Sequence, residues 1–212
     1  MISSFYHQKV NFMSNYLELA QFGTATIHEA LGKIGALPSA IKPLSQDTTI
    51  CGPAVTVQTM PRDNLLIHKA IYEAAEGSVL IVNCSGFYEA GYWGDIMGTA
   101  AQVVGINGLV IDGCVRDGAE LDEMGFPVFC RGLCIHGTTK YGKGTINRPI
   151  VIGDVQIYAG DIVVGDRDGV VIVPQNRIDE AIEQSAAREA HEEEKRQMLK
   201  AGKTTLELFG WQ

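Results

Sequence analysis

The sequence predicts an α/β domain, and three features carry that prediction. Apolar, β-branched runs alternate along the chain with segments whose apolar residues recur at helical spacing. The runs SVLIVN and GLVIDG have the length and continuity of strands buried on both faces. Hydrophobic residues make up 46% of 212, enough for one well-packed domain over 1–212 in preference to two small ones. No internal repeat or low-complexity linker divides the chain.

Each element can be justified in order. NYLELAQF and TATIHEALGKIG read as two short helices broken near Gly23. Thr24 or Thr26 is placed to cap the second, with Glu29 close to the capping-box position for Thr26. AVTVQTM has the β-branched run of a strand. NLLIHKAIYEAA reads as a helix, with Leu65, Leu66, Ala70 and Ile71 at helical spacing and Asn64 as its cap. The buried strand SVLIVN follows. Then come DIMGTAAQVV, a helix rich in small residues, the strand GLVIDG, the short helix GAELDEMG and the strand FPVFCRG.

Beyond residue 148 the texture changes. PIVIGDVQIYAGDIVVGDRDGVVIVP reads as short strands turning at Gly153-Asp154, Gly160-Asp161 and Asp168-Gly169. The expectation is an antiparallel meander packed beside the first sheet. A long helix then runs from Asn176, its cap, to about Lys200, with an apolar stripe of Ile178, Ala181, Ile182 and Ala186. Its later half, REAHEEEKRQ, has almost no apolar face. Either it is solvated and laced by pairs such as Glu192 to Arg196, or it reaches across to a neighbouring subunit.

Charge and composition exclude several roles. A formal net charge of -8 disfavours sequence-independent nucleic-acid binding, which rests on basic surface. No run of about 18 apolar residues is present, so no membrane span is expected. MISSFYHQKVNFMSNYLELA lacks the apolar core of a secretory leader. The five cysteines contain no CxxC pair and fit reduced thiols in the cytoplasm. Cys130 and Cys134 alone are a weak zinc signature without a second matching pair.

Candidate chemistry gathers at Asp95, Arg116 and Asp117. Asp95 follows Gly94 and opens a helix, where unpaired N–H groups favour anions. Arg116 and Asp117 lie just past the buried strand GLVIDG, and in α/β sheets ligands bind at the carboxyl ends of strands. A Mg²⁺ ion held by one or two carboxylates takes its other ligands from water and substrate. An arginine beside it can grip a carboxylate with two hydrogen bonds. The alternative is that Asp95 is only a cap and Arg116-Asp117 only a surface pair.

Other candidates read more plainly. His28 and His68 are packed or surface histidines on amphipathic helices. Lys69 has nothing to desolvate it as a Schiff-base lysine. HEEEK is not HExxH, because Lys195 replaces the second histidine, and YGKGTIN lacks the Lys-Ser/Thr of a phosphate loop. The loop IHGTTKYGKG places Lys140 or Lys143 where either can meet a distal substrate carboxylate.

The stretch GYWGDIMGTAAQVVGINGLVIDGCVRDGAELDEMGFPVFCRG closely resembles the core of the 4-hydroxy-4-methyl-2-oxoglutarate / 4-carboxy-4-hydroxy-2-oxoadipate aldolase family. These are class II pyruvate aldolases that share their fold with the regulators of ribonuclease E activity. FGTATIHEALG, PRDNLLIHKAI, GDIVVGDRDGVVIVP and TTLELFG extend the likeness over nearly the whole chain from about Gly23. The resemblance implies an αββα sandwich of the ribonuclease-E-regulator-like, swivelling-domain type. It also implies a C-terminal helical extension over 176–212 packed on a neighbouring subunit, in a homotrimer or a stacked homohexamer.

Carried over by position, the resemblance makes Asp117 the direct ligand of Mg²⁺ or Mn²⁺. Arg116 would contact the pyruvyl part of the substrate and stabilise the developing enolate oxygen. Asp95 would orient a water of the metal's shell. Gly94, Ile96 and Met97 would offer backbone N–H groups to the substrate carboxylate. A glutamate from a neighbouring subunit completes the family's site, and Glu192 is the first match here and Glu193 the next. The implied activity is retro-aldol cleavage to pyruvate and a 2-oxo acid, with oxaloacetate decarboxylation as a side activity. A ribonuclease-E-inhibitor-like binding protein is the competing reading, and a relative of different specificity with an intact metal site is a third. The inhibitors typically lack an acid at the Asp95 position and the long charged C-terminal helix; this chain has both. A menaquinone methyltransferase is excluded, because no adenosylmethionine-binding glycine loop follows a first strand.

Overall fold

A computed structural model of the chain describes residues 15–211. The stretch read for the absence of a secretory leader lies, through residue 14, outside them. A 3-10 turn (Tyr16–Gln21) leads into α1 (Thr24–Ala30), β1 (Lys42–Pro43), β2 (Ile50–Thr59), α2 (Leu65–Glu73) and β3 (Val79–Asn83). Then follow α3 (Asp95–Val103), β4 (Gly108–Asp112), β5 (Cys114–Val115), α4 (Gly118–Met124), β6 (Val128–Cys130) and β7 (Gly132–Leu133). The chain continues through β8 (Gly144–Ile146), β9 (Ile150–Ile152), β10 (Val155–Ile157), β11 (Ile162–Asp166) and β12 (Gly169–Val173). It closes on α5 (Ile178–Lys200) and α6 (Thr205–Phe209). No helix of the described residues is long and apolar enough to cross a membrane.

Eight strands form one sheet in the order β1-β6-β4-β3-β2-β11-β12, with β8 also paired to β2. The β2, β3, β4 and β6 strands run parallel, as alternating strands and helices require. The late strands depart from expectation. They do not form a meander beside the sheet. Instead β11 pairs antiparallel with β2, Ile162 opposite Pro53 and Val164 opposite Cys51, so β11 and β12 extend the same sheet. Of these late strands β9 and β10 stand apart, as a separate hairpin, and earlier in the chain β5 pairs with β7 in a second two-stranded sheet.

The period-two alternation of the strands divides the core. On one face Val55, Val57, Leu80, Val82, Leu109 and Ile111 pack against Leu66, Ile67, Ala70 and Ile71 of α2, Met97 and Ala101 of α3 and Leu121 of α4. On the other, Ala54, Val79, Ile81 and Val110 meet Ile150, Ile152 and Ile157 of the hairpin and Val163, Val170 and Ile172 of β11 and β12. The alternate residues of those last strands, Ile162, Val164, Val171 and Val173, turn outward onto Leu19, Ile27, Leu31, Ile178 and Ala181. The sheet therefore curls over on itself and produces the helix–sheet–sheet–helix layering of an αββα sandwich. Each fully buried Val, Leu or Ile stabilises it by roughly 1.5–3 kcal/mol.

Two helix starts and one helix face differ from the sequence reading. Gly23, not Thr24 or Thr26, is the cap residue of α1. The cap interaction arrives from across the fold, because Asp166 at the end of β11 accepts from Thr24 N at 2.8 Å and from Thr24 Oγ1 at 2.7 Å. Asn176 lies in a 3-10 turn, and Arg177 precedes α5, fork-bonded to Glu180 at 2.6 and 2.8 Å. In the stripe of α5, Ala186 is exposed and Ser185 is buried in its place. The expected Glu192–Arg196 pair forms at 3.8 Å.

Candidate active site

The segment after β3 and the one after β4 are zipped together by backbone hydrogen bonds. Gly91 bridges Cys114, Tyr92 N donates to Cys114 O at 3.0 Å, and Arg116 N donates to Trp93 O at 2.8 Å. That register sets Gly94 and Asp95 directly beside Arg116 and Asp117. The segment is anchored from below: Tyr92 and Trp93 are fully buried, and Trp93 stacks on Phe126 at 5.7 Å. The Tyr92 hydroxyl accepts from Arg62 N and donates to Phe87 O, and its burial pushes the phenol's pKa far up.

Asp117 takes a left-handed backbone, φ 55°, immediately before α4. Such a conformation is uncommon for a residue with a side chain, although Asp tolerates it better than most. The turn presents its carboxylate to the cleft, with Oδ2 3.4 Å from Arg116 Nε and 3.4 Å from Asp95 N. Arg116 keeps half of its side chain exposed and Asp117 a third, so both reach a small solute.

Gly94, Asp95, Ile96, Met97, Arg116 and Asp117 line one cleft of about 340 Å³. Met97 N and Gly98 N donate to Gly94 O within the first turn of α3. The Met97 N–H is thus spent inside the helix, while Asp95 N faces the Asp117 carboxylate. Glu192 and Glu193 do not line this cleft. Glu192 pairs with Arg188 at 2.9 Å, and Glu193 with Arg196 at 2.8 Å.

The opposite wall joins Lys140, one of the two lysines the sequence reading had placed near the substrate, to residues it had assigned elsewhere. Asn64, read there as a helix cap, makes no capping bond. Its Nδ2 donates to Tyr92 O at 2.8 Å and its Oδ1 accepts from Lys140 Nζ at 2.5 Å. His68 also lines the cleft, and burial followed by the Lys140 charge lowers its pKa. Lys140 is in place and Lys143 is not. Asp63, 1% exposed, ties the Lys140 loop down by accepting from Tyr141 N, Gly142 N and Thr139 Oγ1. No local pattern singles out Asn64, His68 or Asp63; their convergence depends on the long-range bonds to Tyr92 and the 139–142 loop.

The donor set fits a hard divalent cation. The cleft offers carboxylate oxygens from Asp95 and Asp117, and few protein ligands suit an ion that keeps several waters. Space at Asp117 is kept by Gly94, where a Cβ would come within 2.2 Å of Asp117 Oδ2. Cationic Arg116 and Lys140 line the same cleft.

Fold and cleft together define an α/β protein whose cleft, lined by Asp95, Arg116, Asp117 and Lys140, lies past the carboxyl ends of its parallel strands. Residues 24–172 match the RraA-like family described as Aldolase/RraA, and the chain belongs to that family. A Halalkalibacterium halodurans protein named "Putative 4-hydroxy-4-methyl-2-oxoglutarate aldolase" is 39% identical over 170 residues, covering 80% of this chain and 81% of that one. A crystal structure of an uncharacterized Pseudomonas syringae protein superposes with a TM-score of 0.80 at 32% identity over 91% of both chains. Streptomyces coelicolor RraAS2, described as an unusual member of the RNase ES inhibitor RraA family, superposes with a TM-score of 0.75 at 29% identity, covering 85% of this chain and 94% of that one.

Proposed function

We propose that the chain is a divalent-metal-dependent pyruvate aldolase. Its substrate is 4-hydroxy-4-methyl-2-oxoglutarate or 4-carboxy-4-hydroxy-2-oxoadipate, cleaved to pyruvate and a second 2-oxo acid. The observation that carries this reading is the meeting of Arg116, Asp117 and the start of α3 in one cleft. Mg²⁺ or Mn²⁺ on Asp117 would supply Lewis-acid polarisation of the substrate's 2-oxo group.

The remaining work falls to the chain's own residues. Backbone N–H groups at Gly94 and Ile96 receive the substrate's C1 carboxylate at the helix start. Arg116 places fixed positive charge where the C2 oxygen becomes an enolate, the kind of contact that is worth roughly 2.7–4 kcal/mol. A water hydrogen-bonded to Asp95 removes the C4 hydroxyl proton. The C3–C4 bond breaks, its electron pair forms the C2=C3 bond of pyruvate enolate, and C4 leaves as the carbonyl of the second product. Protonation at C3 releases pyruvate. Loss of CO₂ from oxaloacetate gives the same enolate, so decarboxylation accompanies the main activity. Lys140, opposite Arg116, suits a distal carboxylate.

The proposal includes self-association as a homotrimer or homohexamer, with Glu192 or Glu193 of a neighbouring copy completing the site. The solvent-facing later half of α5 and the exposed Leu206, Phe209 and Trp211 support it. Five free thiols support a cytoplasmic setting. Asp95 and α5 favour the enzyme over an inhibitor-like binding protein.

A coupled pyruvate-release assay with the two hydroxy-oxo acids and oxaloacetate tests the reading. Activity lost in EDTA and restored by Mg²⁺ or Mn²⁺ is expected; full activity in EDTA sinks the metal-dependent assignment. A stable monomer by light scattering would remove the shared site.

A further inference from the structure

Close in the chain to the cleft-lining Gly91 and Gly137, Glu89, Cys134 and His136 each bring a ligand atom to within 4.8 Å of the others. None of the three lines the cleft, and the aldol chemistry uses none of them. We propose that they form a separate zinc site, which clamps the segment before Gly91 to the segment after β7. The donors are a thiol, an imidazole and a carboxylate. That mixture suits Zn²⁺, whereas the all-oxygen carboxylates of the cleft suit Mg²⁺ or Mn²⁺. Three protein ligands leave one tetrahedral position for water or another exogenous ligand.

The backbone holds the ligands in place before any ion arrives. Cys134 N donates to Val115 O at 2.8 Å, and Gly91 N donates to His136 O at 2.8 Å. His136 Nδ1 lies 3.3 Å from the backbone carbonyl of Glu89, which ties the ring to the residue that supplies the carboxylate. Glu89 and His136 are exposed and Cys134 is half-buried, so an ion can enter from solvent. Cys130, four residues before Cys134, sits in the helix-side core and takes no part.

The position gives the site a consequence. A Cβ at Gly91 would be 2.4 Å from Cys134 O and 2.9 Å from Arg116 Cβ, so the clamp closes on the segment after β5 that carries Arg116. An ion there stiffens the wall that aims the guanidinium.

Titration of the full chain with Co²⁺, followed by displacement with Zn²⁺, tests the proposal. One thiolate-bound cobalt per chain is expected, counted from a thiolate-to-cobalt charge-transfer absorption that Zn²⁺ removes. The band disappears in Cys134→Ala. In His136→Ala, Zn²⁺ binds more than ~10-fold more weakly, since losing a ligand exceeds the loss of an outer hydrogen-bond partner. Both the band and the stoichiometry survive in Asp117→Ala. Should Cys134→Ala fold poorly, alkylation of Cys134 in the unaltered chain answers the same question, because bound Zn²⁺ slows it. The proposal is overturned by absence of the band, by its persistence in Cys134→Ala, by its loss in Asp117→Ala, or by alkylation indifferent to Zn²⁺.

Discussion

A Cβ placed on Gly94 would sit 2.2 Å from Asp117 Oδ2 and 3.3 Å from Arg116 Nε. The glycine is therefore the space in which the Asp117 carboxylate stands, and a methyl group there must displace it. Gly94→Ala is expected to lower kcat/KM for pyruvate release about 100-fold, the scale of a 1 Å misplacement. Overpacking costs about 1–3 kcal/mol in urea unfolding. A variant with unaltered kinetics and a normal melt would show that this wall does not shape the reacting site.

Arg116 and Asp117 make separable contributions. Asp117→Ala is expected to abolish the Mg²⁺- and Mn²⁺-stimulated rate and to lower the melt modestly, since the side chain is a third exposed but alanine tolerates the left-handed backbone less well than aspartate. Arg116→Lys retains the charge but loses the planar fork. Its kcat is expected to fall about 10²–10³-fold with metal stimulation intact. Steady-state assays across metal concentration separate the two; wild-type rates in Asp117→Ala would refute its assignment as the ligand.

His68 and Lys140 share the far wall of the cleft, and burial together with the lysine's charge lowers the imidazole pKa. A group held neutral in the fold adds stability above its unfolded pKa, and that stability fades as pH falls through the lower, folded value. In an NMR titration His68 is expected to change charge below the ordinary imidazole range, and Lys140→Met raises its midpoint. An unmoved midpoint would mean that the lysine does not act on it.

Asp63 governs the loop that carries Lys140. Burial alone would raise its pKa, but hydrogen bonds from Tyr141, Gly142, Leu65 and Thr139 outweigh that and lower it. Its contribution is complete above the unfolded carboxyl value, about 3.9, and is lost as pH falls through the folded value. Asp63→Asn removes acceptor capacity and costs about 1–3 kcal/mol. Amide exchange at Tyr141 and Gly142 should then quicken at neutral pH and lose its acid dependence; unchanged protection would contradict the tether.

Ile81 sits fully buried between the two halves of the curled sheet. Ile81→Ala is expected to cost about 2–5 kcal/mol, read from the urea midpoint at constant m. A cost well below this would mean that the sheet does not close tightly over its own core.

Much of the fold was legible because its signals are local. The continuous runs at 79–83 and 108–112 announced parallel strands buried on both faces, and Gly153-Asp154 and Asp168-Gly169 marked turns that the structure contains. Asp95, Arg116 and Asp117 could be placed near one another because a helix start and a strand end are themselves sequence features, while their roles came from the family resemblance alone. Asn64 misled, because a cap-type residue before a helix carries the same letter whether it caps or reaches 28 residues onward to Tyr92. Thr24 misled likewise, since its partner Asp166 lies 142 residues away.

By itself, then, the sequence determined where the parallel strands and the helices between them lie and that Asp95 opens a helix while Arg116 and Asp117 follow β4, because period and turn chemistry are written in neighbouring residues. Only the tertiary structure decided that β11 and β12 join the main sheet, that Asn64 and His68 close the cleft with Lys140 in place of Lys143, and that Glu89, Cys134 and His136 meet beside it. Those arrangements rest on backbone hydrogen bonds and packing between distant segments, which no local period encodes.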